Sequence, residues 1–300
     1  MDYNVPGGID LHLHSTASDG TFTPSEIIRQ AQKQNLSAIA ITDHDTVEGS
    51  KEALSLGIPP SVKFLTGVEI SASPPAAINC FGSFHILGYA LELDDTELIK
   101  TLAILQKARK NRNPGIIRRL NNLGFSFSLS DVKAEVGPGQ LGRPHIAQVM
   151  VKKGFVDSID EAFNKYLAQG KPAYQKKYRI DCQRAIDVIN GAGGLPVLAH
   201  PYLLGLNRDI DLEKLIIILK DMGLKGLEVY YPGHPPEKTA YYTELAKKHD
   251  LLMTGGTDFH GSLTPGLQMG TGRGEFFVPY SLYEKIVSNP RFKRAATRSQ

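Results

Sequence analysis

GGIDLHLHSTASDGTFTPSEIIRQAQKQNLSAIAITDHD, residues 7–45, is the stretch on which the fold turns. It opens as an apolar run in which Asp10, His12 and His14 alternate with Ile9, Leu11 and Leu13. A strand turns alternate side chains to one face, so the three polar residues are expected to point the same way. Thr23, Pro24 and Glu26 then predict a helix start: a capping box, with proline in the first turn where its missing N–H costs nothing. The apolar run LSAIAI follows and ends in the polar TDHD, as expected of a strand buried on both faces. Strand, helix and strand in succession predict a parallel sheet.

The alternation recurs along the chain. Seven strands are predicted, near 8–14, 37–42, 63–69, 84–88, 196–200, 226–230 and 251–256. Seven units over this length suit a closed barrel better than an open sheet. Between the fourth and fifth strands the pattern becomes helical, from TELIKTLAILQKARKNR through PGIIRRLNNLG, SLSDVKAEVG and RPHIAQVMVKKG to SIDEAFNKYLAQG. This reads as an insertion. The expected division is a first barrel part over 1–101, a helical cap over 102–173 and a second barrel part over 174–300.

Composition is that of an ordinary globular protein: among 300 residues, 41% are hydrophobic and 22% charged, with a net charge of +3. So small a charge neither demands nor excludes a polyanionic partner. MDYNVPGGID has no basic and apolar leader pattern, and the densest apolar run, LIIIL at 215–219, is far too short for a bilayer. Cys80 and Cys182 lack metal-type spacing and read as reduced thiols. A cytoplasmic location is expected, with no membrane contact and no obligate protein partner evident. The tail RFKRAATRSQ reads as a frayed, solvated end.

Polar residues gather at the predicted strand ends. His44 lies in TDHD, Glu69 closes FLTGVE, His85 lies in FHILGY and His200 ends PVLAH; Asp258 and His260 follow LLMTGG, and Asp19 comes from the first loop. A single histidine in an apolar run is usually a hydrogen-bonded core residue. This many imidazoles and carboxylates on one rim would be costly without a cation. Mixed nitrogen and oxygen donors favour zinc, manganese or iron over magnesium or calcium. A multinuclear metal site is expected.

DLHLHS, ITDHDT, GVEIS, the isolated His85, VLAHP and TDFH together resemble the motifs of the PHP (polymerase and histidinol phosphatase) family, over 1–90 and 174–265. The resemblance implies a distorted (β/α)7 barrel holding three divalent ions. It assigns the first ion to His12, His14, Glu69 and Asp258, the second to Glu69, His85 and His200, and the third to Asp19, His44 and His260. Where many relatives have histidine in the first loop, this chain has Asp19. LGRPHIA at 141–147, GKPAY at 170–174 and EVYYPGH at 228–234 are similar to the subgroup of nucleoside bisphosphate phosphatases and short-RNA exonucleases. The implied activity is phosphate ester hydrolysis on a nucleoside 3′,5′-bisphosphate or on the 5′ end of short RNA. Arg143 would bind the phosphate, His200 or a water would serve as general acid, and Asp10 and Asp43 would orient the ligating histidines. His234 is a further candidate substrate contact, whereas His145, Glu228 and the basic run KARKNR at 107–112 read equally or better as structural or solvated. An amidohydrolase acting on a C–N bond and a non-catalytic metal scaffold are the rival readings.

Overall fold

The computed structural model describes residues 7–126, 128–136 and 141–290; the basic tail and Gly137, which ends the SLSDVKAEVG run, lie outside the described residues. Strand β1 (Ile9–Leu13), helix α1 (Pro24–Lys33), β2 (Ala38–Ile41), α2 (Glu48–Leu56), β3 (Lys63–Ser73) and β4 (His85–Tyr89) build the first half. The helical stretch comprises α3 (Thr96–Asn122), α4 (Leu129–Val136), α5 (Arg143–Lys152) and α6 (Ile159–Ala162), which runs on into a π-helical turn over Phe163–Leu167. A short strand β5 (Ile180–Asp181) leads to α7 (Cys182–Gly191) and β6 (Leu195–Leu198). Then come α8 (Asp209–Asp221), β7 (Gly226–Tyr230), α9 (Pro236–Lys248), β8 (Leu252–Gly255) and α10 (Tyr280–Ser288).

The seven expected strands are all present and pair in the order β1-β2-β3-β4-β6-β7-β8, with β5 as a short tie on β3. Closure back onto β1 comes from the chain just after β8. The His14 N–H donates to the Phe259 carbonyl (3.0 Å), and Leu13 bridges Phe259 in parallel. Gly256 permits that approach, since a Cβ there would lie 2.3 Å from the His12 nitrogen. The result is an α/β structure with a nearly closed, distorted (β/α)7 barrel and a helical insertion. At the start of α1, Glu26 N–H donates to Thr23 Oγ1 (3.2 Å) and Thr23 N–H to Glu26 Oε2 (2.8 Å), as the capping box predicts.

Two departures from the sequence pattern shape the rim. The sheet is not wholly parallel, because β4 runs antiparallel to both β3 and β6. His85 begins β4, so in a parallel strand it would sit at the opposite rim. The reversal brings it beside Glu69, near the C-terminal part of β3. The second departure is a register shift between Asp10 and Leu13. Ile9 and Leu11 pack inward with Ala38, Ala40 and Leu65, whereas Leu13 packs outward with Ile39 and Ile41 against α1. Such an irregularity breaks the two-residue alternation. Asp10 therefore does not share a face with His14.

In the insertion, the first half of α3 (Leu98, Leu102, Leu105) joins the core that covers the barrel. Its second half (Ile116, Ile117, Leu120) joins a separate core with Val132, Ile146, Met150 and Leu167. Cys80 and Cys182 are free thiols, and no helix among the described residues is long and apolar enough to cross a membrane.

Candidate metal centre

Glu69 is the hub of the rim. It is buried, and five imidazoles surround its carboxylate. Oε1 lies 2.7 Å from His85 Nδ1, 3.1 Å from His200 Nε2 and 3.6 Å from His12 Nε2. Oε2 lies 2.7 Å from His44 Nδ1 and 3.3 Å from His14 Nε2. Asp258 Oδ1 closes the His12–His14 side at 3.4 and 3.1 Å. On the other flank Asp19 Oδ1 is 3.5 Å from His260 Nε2 and 3.9 Å from His14 Nδ1, and Asp19 Oδ2 is 4.0 Å from His44 Nε2. The nine residues proposed as ligands from the sequence thus meet in one place.

They fall into overlapping groups whose donor atoms lie within 4.8 Å of one another: His12, His14, Glu69 and Asp258; His14, Asp19, His44 and His260; and His44, Glu69 and His85. His200 Nε2 adds to the third, 3.3 Å from His85 Nδ1. The first group is the set the resemblance assigns to one ion. In the other two, His14 and His44 are shared more widely than that assignment has them.

The donor chemistry fits cations. His12 Nε2, His14 Nε2, His44 Nδ1, His200 Nδ1, Asp19 Oδ1, Glu69 Oε2 and Asp258 Oδ1 are buried and form no hydrogen bond. Several lie close together without hydrogen-bond geometry, as lone pairs do when they converge on a point. Each unsatisfied buried group costs about 1–3 kcal/mol, which for seven would consume most of the 5–15 kcal/mol that holds an ordinary domain together. Electrostatics agree. Burial disfavours the imidazolium of His14, yet Asp258 and Glu69 raise its pKa to about 10. Burial also opposes ionisation of Glu69 and Asp258, but the adjoining histidines hold both well below the usual carboxylate range. Backbone strain gathers here too: His200 (φ 26°) and Asp258 (φ 55°) occupy the left-handed region.

The carboxylate behind the His12 ring belongs to Glu228. His12 Nδ1 donates to Glu228 Oε1 (2.9 Å), which leaves Nε2 facing Glu69 and Asp258. Glu228 Oε2 also accepts from the His200 N–H (2.7 Å). Such a partner fixes the tautomer and the direction of the ring. Asp10 and Asp43, expected to orient ligating histidines, touch no ligating ring directly. Asp10 accepts from Thr257 N–H (2.9 Å), Thr257 Oγ1 (2.6 Å), Gly270 N–H (2.8 Å) and the His12 N–H (3.3 Å), so it ties β1 to the chain after β8. The register shift is the reason. Asp43 accepts from Ser15 N–H (2.7 Å) and from the Ser15 and Ser18 hydroxyls (2.6 Å each), bracing the first loop, and the Ser18 hydroxyl in turn lies 3.5 Å from His14 Nδ1, so Asp43 reaches that ring through Ser18. Glu228→Gln should keep the fold and lower kcat/KM roughly 10–100-fold with weakened metal affinity. Metal retention under a competing chelator, alongside rates, checks this; wild-type values for both would remove Glu228 from the orienting role.

Beside the cluster opens a cleft of about 780 Å³. Its floor includes Asp258 and His260, one wall comes from Pro144, Ile159 and Phe163 of the insertion, and the other from Tyr231, Pro265 and Arg273. A volume of this order suits a nucleotide-sized ligand. Arg143 starts α5, where its Nη1 donates to the Leu167 carbonyl (3.0 Å) and its guanidinium lies over Phe163 and Tyr174. His145 caps the same helix, its Nδ1 accepting from Gly142 N–H (3.1 Å). His234 is buried among Tyr202, Tyr231 and Tyr242, with Nδ1 donating to the Val229 carbonyl (2.9 Å). The run KARKNR is not wholly a solvated face, because Arg109 and Arg112 are buried toward the site. Arg109 Nη2 donates to Asp45 Oδ2 (2.9 Å), and its Nη1 lies 3.7 Å from Asp19. Tyr231, whose hydroxyl donates to Asp258 Oδ2 (3.4 Å), also escaped the sequence reading; only its place after a strand in EVYYPGH could have flagged it.

Comparison with known proteins agrees with this geometry. The chain is 32% identical over 251 residues to a 5′-3′ exoribonuclease of Haemophilus influenzae, covering 84% of this chain and 89% of that one. It is 31% identical over 265 residues to a 3′,5′-nucleoside bisphosphate phosphatase of Chromobacterium violaceum, covering 87% and 90%. A solved structure from Bifidobacterium adolescentis, of a proposed metal-dependent phosphoesterase, superimposes with a TM-score of 0.80 at 32% identity over 94% and 96% of the two chains. The model of the PHP domain matches residues 10–168, and with these relatives it establishes that the chain belongs to the PHP family.

Proposed function

We propose that the protein is a metal-dependent phosphoesterase acting on nucleotides, releasing the 3′-phosphate of a nucleoside 3′,5′-bisphosphate to leave AMP, or 5′-nucleotides from short RNA. The observation that carries this reading is the Glu69 carboxylate set among five imidazoles, beside a nucleotide-sized cleft lined by Asp258 and His260 of the same cluster. Three divalent ions, manganese, iron or zinc, would be held, in the assignment the family resemblance implies, by His12, His14, Glu69 and Asp258, which also group in the structure; by Glu69, His85 and His200; and by Asp19, His44 and His260. When bound, such ions supply Lewis acidity toward phosphate oxygens and a water nucleophile near neutral pH.

The chain's own residues do the rest. Arg143, steadied by the Leu167 carbonyl and two aromatic rings, offers its remaining N–H groups to the phosphate under attack, where a planar guanidinium strengthens its bonds as charge develops. The proton for the leaving ribose oxygen would come from a water or, where its ring is not bound to an ion, from His200, whose backbone N–H is held by Glu228. The segment 102–173 acts as a cap that walls the cleft and supplies substrate contacts rather than metal ligands; His234 supports Tyr231 at the opposite wall.

Metal-loaded protein should release inorganic phosphate from adenosine 3′,5′-bisphosphate and cleave bis(p-nitrophenyl) phosphate, with close to three ions per chain by elemental analysis. Turnover of a panel of amides with none of the phosphate esters would favour the amidohydrolase reading, and no turnover of either would favour a scaffold.

A further inference from the structure

Arg112 presents a buried cation that forms no ion pair among the described residues. Only 6% of the residue is exposed, and its Nε and Nη1 form no hydrogen bond among the described residues. Leaving such a group unpaired is among the costlier things a fold does. The nearby carboxylates are already engaged: Asp45 holds Arg109 at 2.9 Å and Lys177 at 3.8 Å, and Asp19 belongs to the metal cluster. Burial, and after it the neighbouring cations Arg109 and Arg143, push the pKa of Arg112 down to about 9 against the opposing pull of Tyr174 and Asp19. Lys177 adds another cation. Its ammonium reaches Ser71 Oγ, two residues beyond Glu69 on the same face of β3, and burial beside Arg109 lowers its pKa to about 7. The insertion and its return segment thus deliver an excess of positive charge to the side of the rim where Asp19 and Asp45 lie. The N-terminus of α5 points here as well, for a Cβ on Gly142 would lie 3.0 Å from Asp19 Oδ2.

We propose that Arg112 and Lys177 form a second anion site, which takes the phosphate of the substrate that does not react. On the reading given above, on which this proposal rests, that group is the 5′-phosphate of a nucleoside 3′,5′-bisphosphate, while Arg143 attends the reacting 3′-phosphate. A dianion fits the site better than a carboxylate, because its several oxygens can accept from both side chains at once. The pair makes the enzyme selective for substrates with two phosphates and strengthens binding of a product that keeps only the 5′-phosphate.

The test uses metal-loaded wild-type, Arg112→Gln, Arg112→Lys and Lys177→Met proteins. The first measurement is the ratio of kcat/KM for adenosine 3′,5′-bisphosphate to that for adenosine 3′-monophosphate. Arg112→Gln should lower this ratio roughly 10- to 150-fold, the loss expected for one charged hydrogen-bonding group. The second is calorimetric titration with 5′-AMP and with adenosine. Arg112→Gln and Lys177→Met should each weaken AMP binding by a similar factor, Arg112→Lys by less, and adenosine binding should move little. If Arg112→Gln lowers the two kcat/KM values equally, or binds AMP as wild type does, the second anion site is wrong. If wild type hydrolyses neither ester, the phosphoesterase reading fails while the AMP titration still decides the anion site. Lys177→Met decides it should Arg112→Gln not fold.

Discussion

Glu69→Gln should abolish turnover, to below about 0.1% of wild type, in a chain that remains folded. Its carboxylate faces His12, His14, His44, His85 and His200 through both oxygens, so it belongs to more than one of the candidate ion sets. An amide of the same shape removes the negative charge between five imidazoles and turns N–H groups toward nitrogen lone pairs. The barrel does not depend on that charge. Its interior is filled by Ile9, Leu11, Leu65, Leu87 and Val197, below the rim. Phosphate release, bound metal and circular dichroism measured on one preparation check the expectation. Activity within tenfold of wild type, with metal retained, would show that Glu69 is not the hub.

Stripping the ions with a chelator should lower the melting temperature by about 5–10 °C, and returning a divalent cation should restore it. A ligand present at about a thousand times its Kd stabilises the native state by about 4 kcal/mol, and a chain of this size shifts by about 2 °C per kcal/mol. The direction follows from the seven buried, unpartnered donor atoms. Without ions these atoms, His200 Nδ1 excepted, face one another in the cluster, and Asp258 and Glu69 favour a proton on His14, raising its pKa to about 10. Differential scanning calorimetry before and after chelation gives the answer. An unchanged transition would mean that the cluster is satisfied by its own protons and holds cations only weakly.

Much of this was legible because its physics is local. The capping box at Thr23 and Glu26 depends on residues three apart, and the doubly buried strands announce themselves as unbroken apolar runs. His85, a candidate ligand from the sequence, lies beside Glu69 although the strand carrying it runs the other way from the predicted parallel arrangement. Direction is a property of pairing between distant segments, which no local pattern encodes. Glu228 shows the converse. A carboxylate inside LKGLEVYY is visible in the sequence, but its role depends on meeting His12 across 216 positions of chain. The basic run at 107–112 misled for a related reason: a helix face alternating lysine and arginine with small residues reads as solvated until another element covers it.

The sequence by itself determined the residue types and their order: seven strands, a helical insertion, and nine imidazoles and carboxylates at positions where strands end or loops begin. Hydrophobic periodicity and the cost of unpaired buried polar groups act through near neighbours, so they can be read along the chain. The tertiary structure alone decided which atoms converge. It reversed β4, inserted the irregularity that separates Asp10 from His14, placed Glu228 behind His12, and buried Arg112 with its Nε and Nη1 unbonded among the described residues. Each of these follows from long-range register and packing, where shifting one strand by one residue turns a side chain from core to rim.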